Sequence, residues 1–158
     1  KNLVTKIKNK IDGVSLTTDI IVGFPGETDE DFAATCDLLR FCKYSGVFGF
    51  VYSKRKGTPA EKFENQVDAK TKQKRITTLF DIQHEIAREE LKEMVGKTYE
   101  CVVETRKCGL WITKTESGKT IKVKCDTLSP DQDVLVKVEK LVDGELYGLL
   151  VEAKEKGN

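Results

Sequence analysis

The 158-residue chain has few residues of the kinds that build metal sites, disulfide frameworks or histidine-based catalytic sets. It contains five cysteines, and no two are closer than six residues, so it has neither a CxxC motif nor zinc-finger spacing. Its one histidine, His84, stands between polar residues in a predicted helix, where a histidine is usually a surface or packing residue. These shortages exclude a zinc finger and predict that the cysteines are free thiols packed as small apolar side chains.

The sequence also lacks a long apolar run and an excess of either charge. No apolar stretch approaches the about 20 residues that a membrane-spanning helix requires, and no signal peptide is visible. Charged residues make up 34% of the chain and the formal net charge is +1, so overall charge does not predict a nucleic-acid-binding protein. We therefore expect a globular cytoplasmic protein without membrane contact, in which only local clusters of charge could bind a charged partner.

Apolar periodicity predicts an alternation of helices and strands in the first third of the chain. Apolar residues at helical spacing precede Gly13, and residues 14–22 then form a run rich in β-branched residues. This run is apolar on both faces, as is typical of a parallel strand covered on both sides. Thr28 followed by Asp31 is a capping-box pattern that predicts the start of a helix, and residues 47–52 indicate a second strand. The order helix, strand, helix, strand indicates an α/β fold.

The remaining sequence predicts a loop, a long helix and a β-rich end. Residues 53–67 form a loop with a basic start, and an amphipathic pattern over 69–95 predicts one helix that is solvated on one side. After Gly96 the apolar period changes to two, and five short strands follow. Because five short strands would leave exposed edges in an open sheet, we expect a small five-stranded antiparallel β-barrel. The predicted division is 1–68 for the α/β part, 69–95 for the connecting helix and 96–158 for the barrel.

The stretch DIIVGFPGET, residues 19–28, places a glycine-rich turn at the end of the first predicted strand. Turns at the carboxyl ends of parallel strands are where α/β proteins bind ligands, and glycine lets the backbone approach a ligand closely. Phe24 would offer an apolar surface to such a ligand. Alternatively, the stretch is a tight turn around a buried Phe24. Four acidic residues argue against a phosphate ligand and favour a neutral or cationic one; they are Glu27, Asp29, Glu30 and Asp31.

Two motifs resemble those of a known family. The sequence TTDIIVGFPGETDEDF at 17–32, followed by YSKRKGTPA at 52–60, resembles the C-terminal part of the radical S-adenosylmethionine domain of the methylthiotransferases. The long helix and the following GKTYECVVE resemble the join to their C-terminal TRAM domain, a small RNA-binding β-barrel. The resemblance covers essentially the whole chain. It implies the C-terminal part of a partial βα barrel, joined by the helix to the small barrel.

The resemblance also implies roles for individual residues. The turn would help to shape the S-adenosylmethionine site, and the strand that ends at Tyr52 would border the adenine. The implied cofactor-binding residues are Gly23, Phe24, Pro25, Gly26, Tyr52 and Ser53. Arg55 matches the arginine of the family's Tyr-Ser-x-Arg-x-Gly-Thr pattern, where it either positions the loop or contacts the RNA substrate.

Ligands for the family's iron–sulfur clusters are missing from the chain. The resemblance implies S-adenosylmethionine and two [4Fe-4S] clusters in the parent enzyme, one cluster being held by a CxxxCxxC motif that leaves one iron open. The chain has no such motif, and its first residue is lysine rather than methionine. We therefore expect the C-terminal fragment of a larger enzyme, without its N-terminal domains and unable to catalyse methylthiolation alone.

Charge is unevenly divided within the predicted barrel. Residues 97–125 carry a formal charge of +4, whereas residues 126–158 carry −4. A basic half can follow a phosphate backbone, and Trp111, Tyr99 or Tyr147 could stack on an unpaired base. Alternatively, the lysines form a solvated face and the tryptophan lies in the core. The segment CGLWITKT lacks the Gly-Arg-Thr common in the family, so residue roles in the barrel transfer poorly. The RNA-binding candidates are Arg55, Arg106, Lys107, Lys114, Lys119, Lys122 and Lys124.

Three functions are compatible with these features. The first is a fragment of a radical methylthiotransferase whose substrate and partner is tRNA, modified at an adenosine next to the anticodon. The second keeps the reaction but changes the substrate to an aspartate of a ribosomal protein. In those relatives the loop tends to be acidic where Lys54, Arg55 and Lys56 stand, which favours tRNA. The third is a non-catalytic RNA-binding protein, which would leave the GFPGET motif unexplained.

Overall fold

The computed structural model describes residues 1–154, which form two compact units that divide between Ala87 and Arg88. The first unit combines helices with a parallel pair of strands and the second contains a five-stranded sheet, so the mixed α/β class is confirmed. The elements of the first unit are α1 (Asn2–Lys10), β1 (Thr17–Val22), α2 (Asp29–Cys42), β2 (Gly46–Val51), a 3₁₀ helix (Pro59–Lys62) and most of α3 (Ala69–Met94). The strands of the second unit are β3 (Thr98–Lys107), β4 (Leu110–Thr115), β5 (Thr120–Val123), β6 (Asp133–Val142) and β7 (Glu145–Ala153).

Strands β1 and β2 pair in parallel over their full length. One face of this two-stranded sheet packs on helices, and the buried core residues are Val22, Cys36, Leu39, Ile76, Leu79, Ile82 and Ile86. The opposite face, which carries Ile21, Phe48 and Phe50, is exposed. The prediction that the strand at 14–22 is covered on both sides is therefore wrong for the described residues, because their helices cover one face alone.

Helix α3 packs closely on β2 at Gly49. A Cβ atom added at this glycine would lie 2.9 Å from Cδ1 of Ile76 and 3.0 Å from Cδ2 of Leu79. A glycine inside a strand commonly marks such a close approach. The missing side chain therefore sets the distance between helix and sheet in the first unit.

Helix α2 begins where the sequence predicts. The Asp31 amide donates to Oγ1 of Thr28 at 3.1 Å, and the Thr28 amide donates to Oδ2 of Asp31 at 3.0 Å. This reciprocal pair is a complete capping box. The backbone bond from Thr28, followed by the bond from its hydroxyl, lowers the pKa of the Asp31 carboxyl. The helix start is therefore stabilised by an ionised aspartate.

Helix α3 is 26 residues long and contributes side chains to the core of each unit. Ile76 and Leu79 belong to the core of the first unit, whereas Leu91 and Met94 pack in the core of the second. The boundary between the two units falls inside this helix. Within residues 1–154, no helix is both long enough and apolar enough to span a membrane.

The strands of the second unit form one sheet in the order β3-β4-β5-β7-β6, and β6 pairs with β3 so that the sheet closes on itself. Four pairings are antiparallel, but β5 and β7 are parallel. The prediction of a wholly antiparallel arrangement is wrong in this pairing. A closed ring of five strands cannot alternate direction throughout, because an odd number leaves two neighbours pointing the same way. The parallel pair arises here because β7 lies between β5 and β6.

The interior of this closed sheet is filled by side chains at alternate strand positions. The buried core residues are Met94, Cys101, Val103, Trp111, Ile121, Val123, Leu128, Val134, Val136, Val138 and Leu146. Thr113 is also buried, and its hydroxyl donates to the Ile121 carbonyl at 2.9 Å. The residues between these positions point outwards, so the sheet presents its polar side chains around its outer surface.

Candidate ligand site and nucleic-acid interface

The GFPGET turn joins β1 to α2 with the backbone geometry that its glycines predict. Gly23 and Gly26 have φ values of 71° and 86°, which residues with a side chain rarely adopt. The Glu27 amide donates to the Phe24 carbonyl at 2.9 Å, which closes a turn with Pro25 and Gly26 at its centre. Proline followed by a glycine of positive φ fits a type II turn. The peptide bond before Pro25 is trans.

Three of the acidic residues after the turn, Glu27, Asp29 and Asp31, bond to groups of the protein. The Glu27 carboxylate, whose side chain is 12% exposed, accepts hydrogen bonds from the Gly23 amide and from Nη1 of Arg75. Arg75 also donates to the Glu27 carbonyl at 3.1 Å and to the Asp29 carboxylate at 2.7 Å. Asp31 caps α2. Because these carboxylates hold the turn and the helix start, their charge is not free to select a cationic ligand.

Arg75 is one of the residues of this site that sequence reasoning missed, together with Phe63 and Lys72. Its side chain is 6% exposed, and it precedes Leu79 and Ile82 on the buried face of α3. Burial lowers the pKa of its guanidinium, but the hydrogen bonds to Asp29 and Glu27 outweigh this effect and raise the pKa above its usual value. The sequence did contain a signal: Arg75 stands at a position of the predicted helix where an apolar residue is expected. A buried arginine requires a carboxylate partner, so this position indicated a buried ion pair.

Phe24 and Tyr52 meet at the carboxyl ends of β1 and β2. Their ring centroids are 5.1 Å apart in an edge-to-face arrangement, and the Phe63 ring lies 6.4 Å from that of Phe24. Phe24 is 43% exposed, so the alternative of a tight turn around a buried ring does not hold. The Tyr52 hydroxyl is buried and has no hydrogen-bond partner within residues 1–154. This aromatic cleft, formed by Phe24, Tyr52 and Phe63, suits a planar ligand with a hydrogen-bonding edge.

Lys72 from α3 borders the aromatic cleft. Its ammonium donates to the Tyr52 carbonyl at 3.2 Å and lies 5.1 Å from the centroid of the Tyr52 ring. The stem of Lys72 also covers Gly23, where an added side chain would collide with it. Ser53 follows Tyr52 and is exposed. The structure therefore brings Gly23, Phe24 and Tyr52 to one place, with Ser53 at the rim.

The loop that follows β2 is joined to the turn by a backbone hydrogen bond as well as by the contact of the Phe63 and Phe24 rings. The Gly26 amide donates to the Asn65 carbonyl at 2.7 Å. The Arg55 carbonyl accepts hydrogen bonds from the amide of Thr58 at 3.2 Å and from its hydroxyl at 2.8 Å. The backbone of Arg55 thus shapes the loop, and Arg55 itself is exposed to solvent.

The basic candidates in the second unit do not form one cluster. Lys119, whose side chain is 17% exposed, pairs with Glu90 at 2.7 Å. Lys114 pairs with Glu104 at 3.4 Å. Lys114 and Lys154 are the basic residues of a groove whose acidic lining residues are Glu100, Glu104, Glu116, Asp131 and Asp133. Lys114 and Lys119 therefore each pair with a carboxylate, and a phosphate bound at Lys114 would also face the acidic residues of this groove.

Arg106 and Trp111 form a structural pair at one end of β3 and β4. The Arg106 guanidinium lies 5.7 Å from the Trp111 ring centroid and pairs with Asp126 at 3.2 Å. Trp111 is buried, and its indole N–H donates to the Cys125 carbonyl at 3.0 Å. The tryptophan therefore belongs to the core and offers no ring to a base. Lys107, at the end of β3, is exposed.

Lys122 lies on the outer surface of β5 and contacts β7. It pairs with Glu145 at 2.5 Å, and its ammonium lies 5.7 Å from the ring centroid of Tyr147. The hydrogen bond with Glu145 raises the pKa of Lys122, and the same bond, with one from Tyr147, lowers the pKa of Glu145. The outer surface of β5, β7 and β6, with the exposed Lys124 directly after β5, carries a group that we name the basic face: Lys122, Lys124, Lys137, Lys140 and Tyr147.

Comparison with known proteins decides the family. No protein-family model matches the chain. A curated tRNA-2-methylthio-N(6)-dimethylallyladenosine synthase of Carboxydothermus hydrogenoformans is 43% identical over 155 residues, covering 94% of this chain and 34% of that protein. The protein of the same name from Acetivibrio thermocellus is 38% identical over 153 residues, covering 95% of this chain and 32% of its own length. The chain belongs to the tRNA methylthiotransferase family. It spans about a third of the length of these relatives.

The described residues of this family member, 1–154, do not bring together the ligands of an iron–sulfur cluster. Within residues 1–154, no group of three histidine, cysteine, aspartate or glutamate side chains is placed to bind a metal ion. All five cysteines are free thiols. Cys36 and Cys101 are buried, and burial raises the pKa of both thiols; Cys108 is exposed and does not pack in a core. The [4Fe-4S] clusters implied by the resemblance therefore do not fit the residues of this chain.

Proposed function

We propose that the chain is the C-terminal third of a radical S-adenosylmethionine methylthiotransferase that modifies a tRNA adenosine next to the anticodon. The observation that carries the proposal is the aromatic cleft, where the open Phe24 ring lies beside the buried, unpartnered hydroxyl of Tyr52. The names of the curated relatives, which specify a 2-methylthio adenosine derivative of tRNA, support the same reaction. They support tRNA over a ribosomal protein as the substrate.

The residues at the turn fit the adenine end of S-adenosylmethionine. The exposed Phe24 ring offers a surface to a planar base, and the Tyr52 hydroxyl, which is buried without a partner within residues 1–154, would hydrogen-bond with the edge of a base that packs against it. Gly26 adopts positive φ, and no heavy atom lies within 4 Å of the position that a Cβ would take there, so its backbone is open to a ligand. Bound S-adenosylmethionine supplies the radical that starts the reaction. This chain's contribution is to bind and orient the adenine.

Arg75 and Glu27 keep the turn in this position. Glu27 accepts from the Gly23 amide, which lies directly before Phe24, and Arg75 connects Glu27 to α3. Binding is weakened when the ligand must first order a flexible turn. Because buried hydrogen bonds already hold this turn in place, it is preorganised for the ligand. Residues 1–154 contain no group of side chains placed to bind a metal ion, so we assign both [4Fe-4S] clusters to the N-terminal part of the same polypeptide and expect the chain alone to be inactive.

We assign tRNA binding to the second unit. The exposed Lys107 and Lys124, together with the partly exposed Lys122 that pairs with Glu145, are the proposed phosphate contacts of this unit. Arg55, in the first unit, is a separate proposed RNA contact. A non-catalytic RNA-binding protein would have no use for the aromatic cleft. The lysines therefore serve the enzyme by holding its substrate.

A chimaeric enzyme tests the proposed reaction. This chain would replace the matching third of the Carboxydothermus hydrogenoformans relative, and tRNA exposed to the purified chimaera would be digested and analysed by mass spectrometry for the methylthio nucleoside. We expect product from the chimaera and none from the chain alone. A chimaera that folds and binds its clusters but forms no product, beside an active parent, would contradict the proposed function.

Removing one hydroxyl tests the cofactor site within the same chimaera. Tyr52→Phe keeps the ring and loses the unpartnered hydroxyl, and we expect S-adenosylmethionine to bind about two- to tenfold more weakly, the value of one hydrogen bond. Tyr44→Phe is the matched control, because Tyr44 precedes the opposite end of β2. Equal affinities of the two variants, measured by equilibrium dialysis, would remove the Tyr52 hydroxyl from the site.

A further inference from the structure

The position of β7 assembles a row of three side chains from distant parts of the sequence. Strand β7 pairs with β5 on one side and with β6 on the other, which places Tyr147 opposite both Lys122 and Lys140. The two ammonium groups lie 5.7 Å and 5.8 Å from the centroid of the Tyr147 ring. An aromatic ring is thus flanked by a cation from each neighbouring strand.

The burial pattern of β7 shows that this ring belongs to the outer surface. Leu146 and Gly148 are buried in the closed sheet, whereas Tyr147 is partly exposed and Leu149 is 52% exposed. Lys137 stands opposite Leu149 on β6. Tyr147 and Leu149 therefore form an apolar strip between lysines on both sides.

The basic face shares no residue with the acidic groove of the same unit. The acidic groove is lined by residues of β3 and the start of β6, such as Glu100 and Asp133, and by the hairpin residue Glu116. On the basic face, Glu145 is bonded to Lys122 and accepts from the Tyr147 hydroxyl at 3.1 Å. Glu139 lies at an irregularity of β6 before Lys140. The face therefore keeps an excess of cations around one aromatic ring.

We propose that Tyr147, between Lys122 and Lys140, is a platform on which one unpaired base of the tRNA substrate stacks, while the lysines of the basic face contact the flanking phosphates. This inference rests on the proposed function for the identity of the partner and adds the residue and the kind of nucleotide that it recognises. An aromatic side chain stacks on bases that are free of their own helix, so the platform selects a single-stranded part of the RNA.

The flanking lysines do not block the platform. Stacking of a base on an aromatic side chain is stronger than an exposed cation–π contact, so an arriving base displaces an ammonium from the ring. A displaced lysine stays within reach of the phosphates on either side of that base, where its charge is more effective. Aromatic and basic residues therefore act on the same nucleotide.

Fluorescence anisotropy with the full chain tests this platform. The probes are a labelled RNA hairpin with an unpaired adenosine in its loop and a fully paired RNA duplex of the same length. Tyr147→Leu, which keeps an apolar side chain but removes the ring, is expected to bind the hairpin about tenfold more weakly and the duplex unchanged. Tyr147→Phe, which keeps the ring and loses the bond to Glu145, is expected to retain hairpin binding.

A second pair of variants tests the charges. Lys140→Gln removes a lysine of the basic face and should weaken hairpin binding. Lys154→Gln is the control, because Lys154 lies in the acidic groove, and it should leave binding unchanged.

The outcomes separate the platform from the proposed function. Wild-type hairpin affinity in Tyr147→Leu would overturn the platform and leave tRNA binding intact, as would equal weakening on hairpin and duplex. A wild-type chain that binds neither RNA would overturn both, and binding of polyglutamate in its place would assign the face to an acidic peptide. If Tyr147→Leu does not fold, Tyr147→Trp replaces it: quenching of the new indole by the hairpin supports stacking, and unchanged emission on a saturating hairpin overturns it.

Discussion

The buried contact of Arg75 with the GFPGET turn predicts a large and localised loss of stability on substitution. Arg75→Met keeps most of the volume of the side-chain stem and removes the guanidinium. The change deletes three hydrogen bonds, two to Glu27 and one to Asp29. It leaves the Glu27 carboxylate, with a side chain only 12% exposed, bonded to the Gly23 amide alone.

The exposures of the two carboxylates decide the size of the effect. Asp29 has a side chain that is 92% exposed, so water screens its ion pair, and such pairs contribute about 0–1 kcal/mol. Glu27 is mostly buried, and removal of one partner from a buried pair costs about 3–5 kcal/mol. Because Glu27 retains limited contact with water, we expect about 3 kcal/mol for Arg75→Met and less than about 1 kcal/mol for Asp29→Asn.

Hydrogen exchange measured by mass spectrometry would locate this loss. Protection of the peptide that contains the Gly23 amide should fall in Arg75→Met, because that amide is bonded to the carboxylate that the arginine holds. Urea unfolding followed by Trp111 fluorescence provides an internal control, because Trp111 is the one tryptophan of the chain and lies in the other unit. Its transition should move little if the effect stays in the first unit.

Two comparisons could refute this reasoning. Arg75→Met combined with Glu27→Gln should be less destabilised than the sum of the single variants, because the unpaired charge is gone. If Arg75→Met loses no more protection than Asp29→Asn, the burial of Glu27 does not control the turn, and the positioning role assigned to Arg75 is wrong.

Two further predictions concern the closed sheet and the start of α2. Gly148→Ala should destabilise the second unit by about 1–3 kcal/mol, since its Cβ would lie 2.7 Å from the Lys137 carbonyl oxygen and 2.7 Å from Cγ1 of Val136; an unchanged urea midpoint for Trp111 fluorescence would contradict this. The lowered pKa of Asp31 means that its contribution is fully present above the unfolded value of 3.8 and is lost as pH falls through the folded pKa. The stability advantage of the wild type over Asp31→Asn in urea unfolding should therefore be constant above pH 3.8 and shrink below it, and an advantage that grows on acidification would oppose this account.

Short-range patterns predicted most of the elements and the place of the candidate site. The capping box of Thr28 and Asp31, the positive φ of Gly23 and Gly26, and the alternating burial of the five strands all depend on residues a few positions apart. Caps, turns and periodicity are decided by such local contacts, so they can be read without knowing the rest of the fold. The contact of Phe24 with Tyr52 also follows from local order, because β1 and β2 are parallel and these residues follow closely after their ends.

Contacts between distant residues were decided by the tertiary structure alone. Arg75 binds Glu27 across 48 positions, and this pairing turned an apparent cluster of free carboxylates into the support of a turn. The parallel insertion of β7 between β5 and β6 brought Lys140, from the segment of negative net charge, beside Lys122 and Tyr147. Periodicity shows which side of a strand is buried, but which strands become neighbours depends on closing the whole sheet. The sequence therefore determined the elements and their faces, whereas the partners of Arg75 and Tyr147 were determined by the path of the chain between them.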